Sequence, residues 1–311
     1  MPPKVSIGIP TRNRLPYLKL AIESCLSQTY PETEIVVSDN LSDDGTREYL
    51  SSLTDPRVKV LLQESNLGMV GNFNACLYAA TGEFFLLLSD DDVLLKNALE
   101  ELVSPLLGET GKEYGLSWCP CIIIDSYGKH MWKTDAGPVV ETPVALLRGL
   151  FDGRRGTRLS AIMIRRADSL ALGGYDEARH GVLCDTGNWG RIGLRYPLVH
   201  CAREPLVHYR VHPASLTQAA RCEDWQRYGN NMHEDFLRVL ANQGKFHEEH
   251  ILRKGFGHHL ANITVTVLLR YVKTPGYIRL FAAQFWKSRR FMLTPFVARR
   301  ILRDGWKLLR V

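Results

Sequence analysis

One stretch constrains this chain more than any other: Glu83-Phe84-Phe85-Leu86-Leu87-Leu88-Ser89-Asp90-Asp91-Asp92, an unbroken apolar run that stops at three consecutive carboxylates. The run is short and does not alternate with polar residues. That pattern predicts a strand over Phe84 to Leu88 with both faces buried. Ser89 to Asp92 then stand at the strand's carboxyl end, where open α/β sheets bind their ligands. Adjacent carboxylates repel one another unless a cation is near. Hard oxygen donors suit Mg²⁺ or Mn²⁺. A competing reading makes the acids a helix cap, because a helical pattern follows from Lys96.

The residues on either side give that strand its setting. Val5 to Pro10 is a second apolar run, ending at Thr11-Arg12-Asn13-Arg14. Leu18, Ala21, Ile22, Cys25 and Leu26 follow at helical spacing, and Pro31 closes the segment. Glu34 to Ser38 reads as a buried strand ending at Asp39. Asn40 to Gly45 is a loop, Thr46 to Leu53 a helix with Thr46 as cap, and Val58 to Leu62 a strand. Asn66-Leu67-Gly68 turns into a helix over Val70 to Ala80, which Gly82 breaks. Strands alternating with helices predict βαβ units, a parallel sheet and right-handed crossovers. The polar ends Thr11/Arg12, Asp39 and Asp90/Asp91/Asp92 should gather along one sheet edge. Further on, a helix is expected over 96–107 and a strand over Gly115 to Asp125. Short strands are expected at Leu159 to Ile164 and Pro205 to Val211, and helices at Val144 to Phe151 and Asp185 to Tyr196. These should extend the sheet and cover the site. Beyond about Ala219 the pattern is helical.

Several classes are excluded. The dinucleotide fingerprint G-x-G-x-x-G and the P-loop G-x-x-x-x-G-K-[ST] are both missing, which argues against a dehydrogenase or P-loop enzyme. Seven scattered cysteines without a C-x-x-C pair support neither a zinc site nor a disulfide framework, and suit a reducing cytosol. No apolar stretch has bilayer-spanning length, and Met1-Pro2-Pro3-Lys4 leads into a strand without a leader pattern. A cytoplasmic location is expected. The net charge of +6 is unevenly spread: residues 271–311 hold ten Lys/Arg and one acid.

Taken together and in order, IPTRNR (9–14), SQTYP (27–31), VVSDNLSDDGT (36–46), N-x-G (66–68), ATGEFFLLLSDDD (80–92) and LGGYDE (172–177) resemble the family 2 glycosyltransferases of bacterial polysaccharide synthesis. YRVHPASLT (209–217) is similar to the end of that family's catalytic domain. The resemblance covers roughly residues 4–217. It implies an A-type glycosyltransferase fold: a single Rossmann-like α/β domain over 1–219, followed by a helical, basic extension over 220–311. Residues 1–95 would form the nucleotide-sugar half and 96–219 the acceptor half.

The resemblance also implies roles. Asp39 matches the carboxylate that receives the nucleotide base, with Thr11 and Arg12 lining the base and ribose pocket; a strand-end turn explains Asp39 otherwise. Asp44 and Asn66 fall near the donor. The acid cluster matches the family's Asp-x-Asp region, with Ser89 in place of the first acid. Asp91 then takes the metal position, Asp90 the ribose or metal-bound water, and His212 reaches metal or diphosphate, with His208 competing for that role. The donor is a nucleotide-diphospho-sugar, with uridine favoured, and the cofactor Mn²⁺ or Mg²⁺. Asp185 matches the general base of an inverting transfer, against a helix-cap reading and against Asp176 and Glu177. Trp189 and Arg210 are candidates for the acceptor side, Trp189 equally for packing.

The acceptor expected from the resemblance is a saccharide, lipid-linked if the tail binds a membrane. On a helical wheel Arg299, Arg300, Arg303, Lys307 and Arg310 lie opposite Val297, Ile301, Leu302, Leu308 and Leu309. That suits a peripheral anionic membrane surface, or a helix packed on the domain with a solvated basic face. No nucleic-acid-binding module is recognisable. In a different class stands a catalytically silent sugar-nucleotide-binding protein, for which Ser89 is the only support.

Overall fold

The computed structural model describes residues 1–212 and 222–270. The expected tail helices over 277–310 and the expected boundary at Ala219 lie outside the described residues. The chain opens with β1 (Val5–Thr11), α1 (Leu15–Leu26), β2 (Thr33–Asp39), α2 (Thr46–Ser51), β3 (Val58–Leu62), α3 (Gly68–Ala79) and β4 (Phe84–Leu87). Then come β5 (Val93–Leu94), α4 (Ala98–Val103), α5 (Gly108–Gly111), β6 (Tyr114–Trp118), β7 (Cys121–Ile124), β8 (His130–Lys133), β9 (Val140–Glu141) and α6 (Pro143–Phe151). The remaining elements are β10 (Ile162–Arg165), α7 (Arg166–Ala171), α8 (Glu177–His180), α9 (Cys184–Gly193), β11 (Leu198–Cys201), β12 (Val207–Arg210), α10 (Cys222–Asn242) and α11 (Phe246–Arg270).

An eight-stranded sheet runs β3-β2-β1-β4-β10-β6-β11-β9. The first four strands are parallel, as the βαβ pattern predicts. β10 enters antiparallel between β4 and β6, and β9 is antiparallel to β11, so the sheet is mixed. The apolar run earns both faces. Phe84, Leu86 and Leu88 pack into one core with Leu18, Ile22 and Leu99, beneath α1 and α4. Phe85 and Leu87 pack into the other, with Cys76, Trp118 and Trp189. Alternate residues of a strand face opposite ways, so a strand covered on both sides has no polar position to give. Gly8 lets α3 approach: a Cβ there would meet Cys76 Cβ and the Phe85 ring at 2.8 Å.

A second sheet runs β5-β12-β7-β8. Here the structure corrects the sequence. The strand expected over Gly115 to Asp125 is two strands, β6 in the large sheet and β7 in the small one. Cys119-Pro120 separates them, and Pro120 has no N–H to continue a ladder. Thr46 is the first residue of α2 and not its cap: Gly45 caps it at φ 90°, a left-handed conformation natural only to glycine. The last predicted helix begins at Cys184 and stops at Gly193.

Helices α10 and α11 are not a loose appendage. Met232, Phe236, Leu240 and Leu252 share the second core with Leu116, Trp118 and Trp189. Asp235 of α10 receives two hydrogen bonds from the Arg179 guanidinium, each 2.9 Å, and one contact of 2.9 Å with His180 Nε2. No helix among the described residues is long and apolar enough to cross a membrane.

Candidate active site

β2, β1 and β4 lie side by side and point the same way, so their carboxyl ends form one ledge. Thr11 stands opposite Asp39 in register. On the other side of β1, just past the adjacent β4, Asp90 Oδ2 accepts from the Thr11 hydroxyl at 2.8 Å. The convergence that the sequence predicts is therefore present in atoms.

Asp39 is fully buried. Its Oδ2 accepts the Ser42 N–H at 3.2 Å and the Arg47 guanidinium at 3.1 Å. Its Oδ1 is buried with no hydrogen-bond partner among the described residues. A buried carboxylate oxygen left without a donor costs free energy, so such an atom marks a place for a ligand's N–H. Asn66 is bound inside a turn: its Oδ1 accepts from Asn40 Nδ2 at 2.8 Å and from the Gly68 N–H at 3.0 Å. Asp44 caps local backbone, accepting from the Leu15 N–H at 3.0 Å and the Thr46 N–H at 3.2 Å. The Arg12 side chain is exposed beside the ledge.

The three acids separate into three jobs. Asp90 is held by Thr11 and by Arg14 Nη1 at 3.3 Å. Burial pushes its carboxyl up to about 7, against the pull of Arg14. Asp91 Oδ2 receives Arg14 Nη1 at 2.7 Å and lies 2.7 Å from His212 Nε2. Asp92 is fully buried and bound on both sides, by the Ser160 hydroxyl at 2.5 Å and the Arg210 N–H at 2.8 Å. Burial pushes its carboxyl well above the usual range. Ser160 also accepts the Ser89 N–H at 3.0 Å, so Asp92 and Ser89 share one clamp.

Arg210 is spent on holding loops. Its Nε donates to the Asp91 carbonyl at 2.8 Å and its Nη1 to the carbonyls of Asp125 and Ser126 at 3.1 and 3.3 Å. Tyr17 lies beneath that guanidinium at 4.7 Å and beside the His212 ring at 5.7 Å. His208 contacts the His130 ring at 4.9 Å.

Asp185 sits in the first turn of α9, two residues past Leu183, which caps that helix without a side-chain bond. It lines a narrow cavity with Leu87, Tyr175, Asn188 and Trp189, directly behind the end of β4. Burial raises its carboxyl pKa, against the Thr186 N–H and hydroxyl. Of the competing acids, Asp176 caps α8 through the Arg179 N–H at 2.9 Å, and Glu177 is exposed. Trp189 is 4% exposed, most of its surface packed in the core. The Arg158 guanidinium lies over the Tyr209 ring at 5.2 Å. The Tyr209 phenol pKa is raised by burial and then by Asp92, Asp91 and Asp185, while Arg158 pulls it down. Sequence reasoning passed over Arg14, Arg47, Ser160 and Arg158. For Arg14 a signal existed, since it ends the polar Thr-Arg-Asn-Arg loop that closes β1.

No cluster of three His, Cys, Asp or Glu side chains able to hold a metal occurs among the described residues. Asp91 and His212 offer two donors, and Asp91 Oδ1 takes part in no hydrogen bond or ion pair among the described residues. Mg²⁺ and Mn²⁺ bind through one or two carboxylates with substrate phosphates completing the shell. The residues therefore fit a cation shared with a diphosphate, and not a free-standing metal site.

Residues 6–136 match the family model described as glycosyl transferase family 2. The chain is 38% identical over 124 residues to the GalNAc(5)-diNAcBac-PP-undecaprenol beta-1,3-glucosyltransferase of Campylobacter jejuni, 39% of this chain and 39% of that protein. It thus spans about two-fifths of that relative's length. An uncharacterised glycosyltransferase of Rickettsia typhi is 28% identical over 288 residues, 90% of this chain and 83% of its own. Among solved structures, residues 1–349 of S. aureus TarS in complex with UDP-GlcNAc superimpose with a TM-score of 0.64 at 16% identity, covering 97% of this chain and 92% of that one, a likeness of fold. The chain therefore carries a family 2 glycosyltransferase domain over residues 6–136.

Proposed function

We propose that this chain transfers a sugar, with inversion, from a nucleoside-diphospho-sugar to a saccharide carried on a lipid diphosphate. The observation that carries this reading is the buried Asp39 Oδ1, without a hydrogen-bond partner among the described residues, on the same ledge as Asp90 and Asp91. An N–H of a nucleobase would satisfy that oxygen, and uracil offers one. The named ligand of TarS, UDP-GlcNAc, supports a uridine donor, and the name of the C. jejuni relative supports a lipid-diphosphate acceptor.

Asp39 would bind the base, with Thr11 and Arg12 beside the ribose. Asp91 and His212 would hold Mn²⁺ or Mg²⁺ together with the diphosphate, and a cation there neutralises charge growing on the leaving group. Asp185 acts as general base. The acceptor hydroxyl oxygen forms the new bond to the anomeric carbon as the bond to the diphosphate oxygen breaks, and the hydroxyl proton passes to Asp185. A single displacement inverts the anomeric centre and needs no nucleophilic Ser or Cys. Release of nucleoside diphosphate, measured across uridine, guanosine and thymidine sugars with an undecaprenyl-diphosphate saccharide and Mn²⁺, tests the reading. Turnover with a uridine sugar is expected. No release with any donor would refute it.

A further inference from the structure

We infer that the β7–β8 hairpin is a contact for an anionic lipid bilayer, placed beside the active site. The inference rests on the lipid-linked acceptor proposed above. All four residues of β8 are exposed, and β8 is an outer strand of the small sheet. Tyr127 at its turn is 95% exposed, and Met131 and Trp132 are each 53% exposed. Scattered apolar residues on a surface are ordinary, but here three large exposed ones fall within six residues of one hairpin.

The charges around the patch select its partner. Lys129, His130 and Lys133 are interleaved with it, and no acid occurs between Ser126 and Thr134. Tyr and Trp rings rest at the level of lipid headgroups, and Lys beside them is drawn to anionic lipid. A second copy of the chain fits less well. Lysines on an outer strand oppose pairing with a like-charged strand.

The hairpin is also coupled to the site. Its turn begins at Asp125 and Ser126, whose carbonyls both accept from Arg210 Nη1. The same guanidinium donates to the Asp91 carbonyl. The Tyr17 hydroxyl donates to Ser126 O at 3.4 Å. A headgroup held under the hairpin would thus lie one side chain from the acid that faces the donor diphosphate. None of Tyr127, Met131 or Trp132 is placed in the donor or base machinery.

The test uses the full chain and vesicles of phosphatidylcholine with and without phosphatidylglycerol. Flotation of Y127S/M131S/W132S is expected to show at least ~fivefold less protein on the anionic vesicles than wild type. With brominated lipid, tryptophan quenching is expected in wild type and reduced in Trp132→Phe. Binding or quenching that is undiminished in these variants would overturn the inference, as would wild type that does not bind. So would a change in oligomeric state in the triple variant, which would assign the patch to a second copy. Calorimetric UDP binding, measured on the same samples, keeps the two readings apart. Intact UDP binding without lipid binding defeats only the hairpin, whereas loss of UDP binding in wild type defeats the donor site.

Discussion

His212 Nε2 lies 2.7 Å from Asp91 Oδ2, joining the end of the small sheet to an acid 121 residues earlier in the chain. The contact makes the two side chains one unit, which on the proposed reading would face the diphosphate. Replacing His212 with Ala should weaken Mn²⁺-dependent UDP binding by roughly 10–100-fold, and Asp91→Ala by at least as much. The double variant should lose less than the two single losses combined, because both remove the same interaction. Additive losses in a calorimetric cycle would mean that the residues act apart.

Arg14 Nη1 bridges Asp90 and Asp91, at 3.3 and 2.7 Å, with the acids almost fully covered and the guanidinium 22% exposed. Its removal leaves two neighbouring carboxylates without their cation. Between the small value of surface pairs and the larger cost of breaking buried ones, about 2 kcal/mol is expected for Arg14→Ala. That corresponds to a fall in Tm of about 3 °C for a chain of 311 residues. Mn²⁺ with UDP should restore part of it. An unchanged melting curve without metal would contradict the pairing.

Asp39→Asn keeps the volume of the side chain and places an amide where the orphaned oxygen stands. A hydrogen bond to a charged acceptor contributes about 1.5–3 kcal/mol, so UDP affinity should fall by roughly 10–100-fold. Arg47→Ala, which loosens Asp39 without removing it, should cost less. Competition against a labelled uridine nucleotide checks both, and equal affinity in Asp39→Asn would place the base elsewhere.

Much of the first half was legible in the sequence because its signals are local. Phe84 to Leu88 needs both faces covered, so the composition of the run alone specifies a central strand. Asp39 and Asp90/Asp91 were legible as strand-end polar residues, and the parallel order of β2, β1 and β4 brings them together. The split at Cys119-Pro120 was not legible, because either half reads as a strand and only tertiary pairing assigns them to different sheets. β5, β9 and β11 run two to four residues, too short for a period to declare itself. The three roles of Asp90, Asp91 and Asp92 were only partly readable. Ser160, Arg210 and His212 reach them from 68 to 121 residues away. The basic face of the tail was legible as a pattern, and it lies outside the described residues.

Asp185 carries a pH prediction. Its carboxyl is raised above the ordinary value of 3.8 by burial. A base works when ionised, so turnover at saturating donor should be level at higher pH and fall as pH drops through that raised pKa. Asp185→Asn should abolish transfer while UDP binding stays within about twofold. A variant that still turns over, with the acid limb unchanged, would remove Asp185 as the base.

Titration of the wild-type chain with UDP, first with Mn²⁺ and then after chelation, tests the donor site most directly. On the proposed reading, Asp91 and His212 would hold a cation only with phosphate oxygens completing its shell. The account predicts tight, Mn²⁺-dependent UDP binding that weakens at least ~10-fold on chelation and little Mn²⁺ binding without UDP. UDP affinity that is indifferent to the metal, or Mn²⁺ binding that is equally tight without nucleotide, would contradict it.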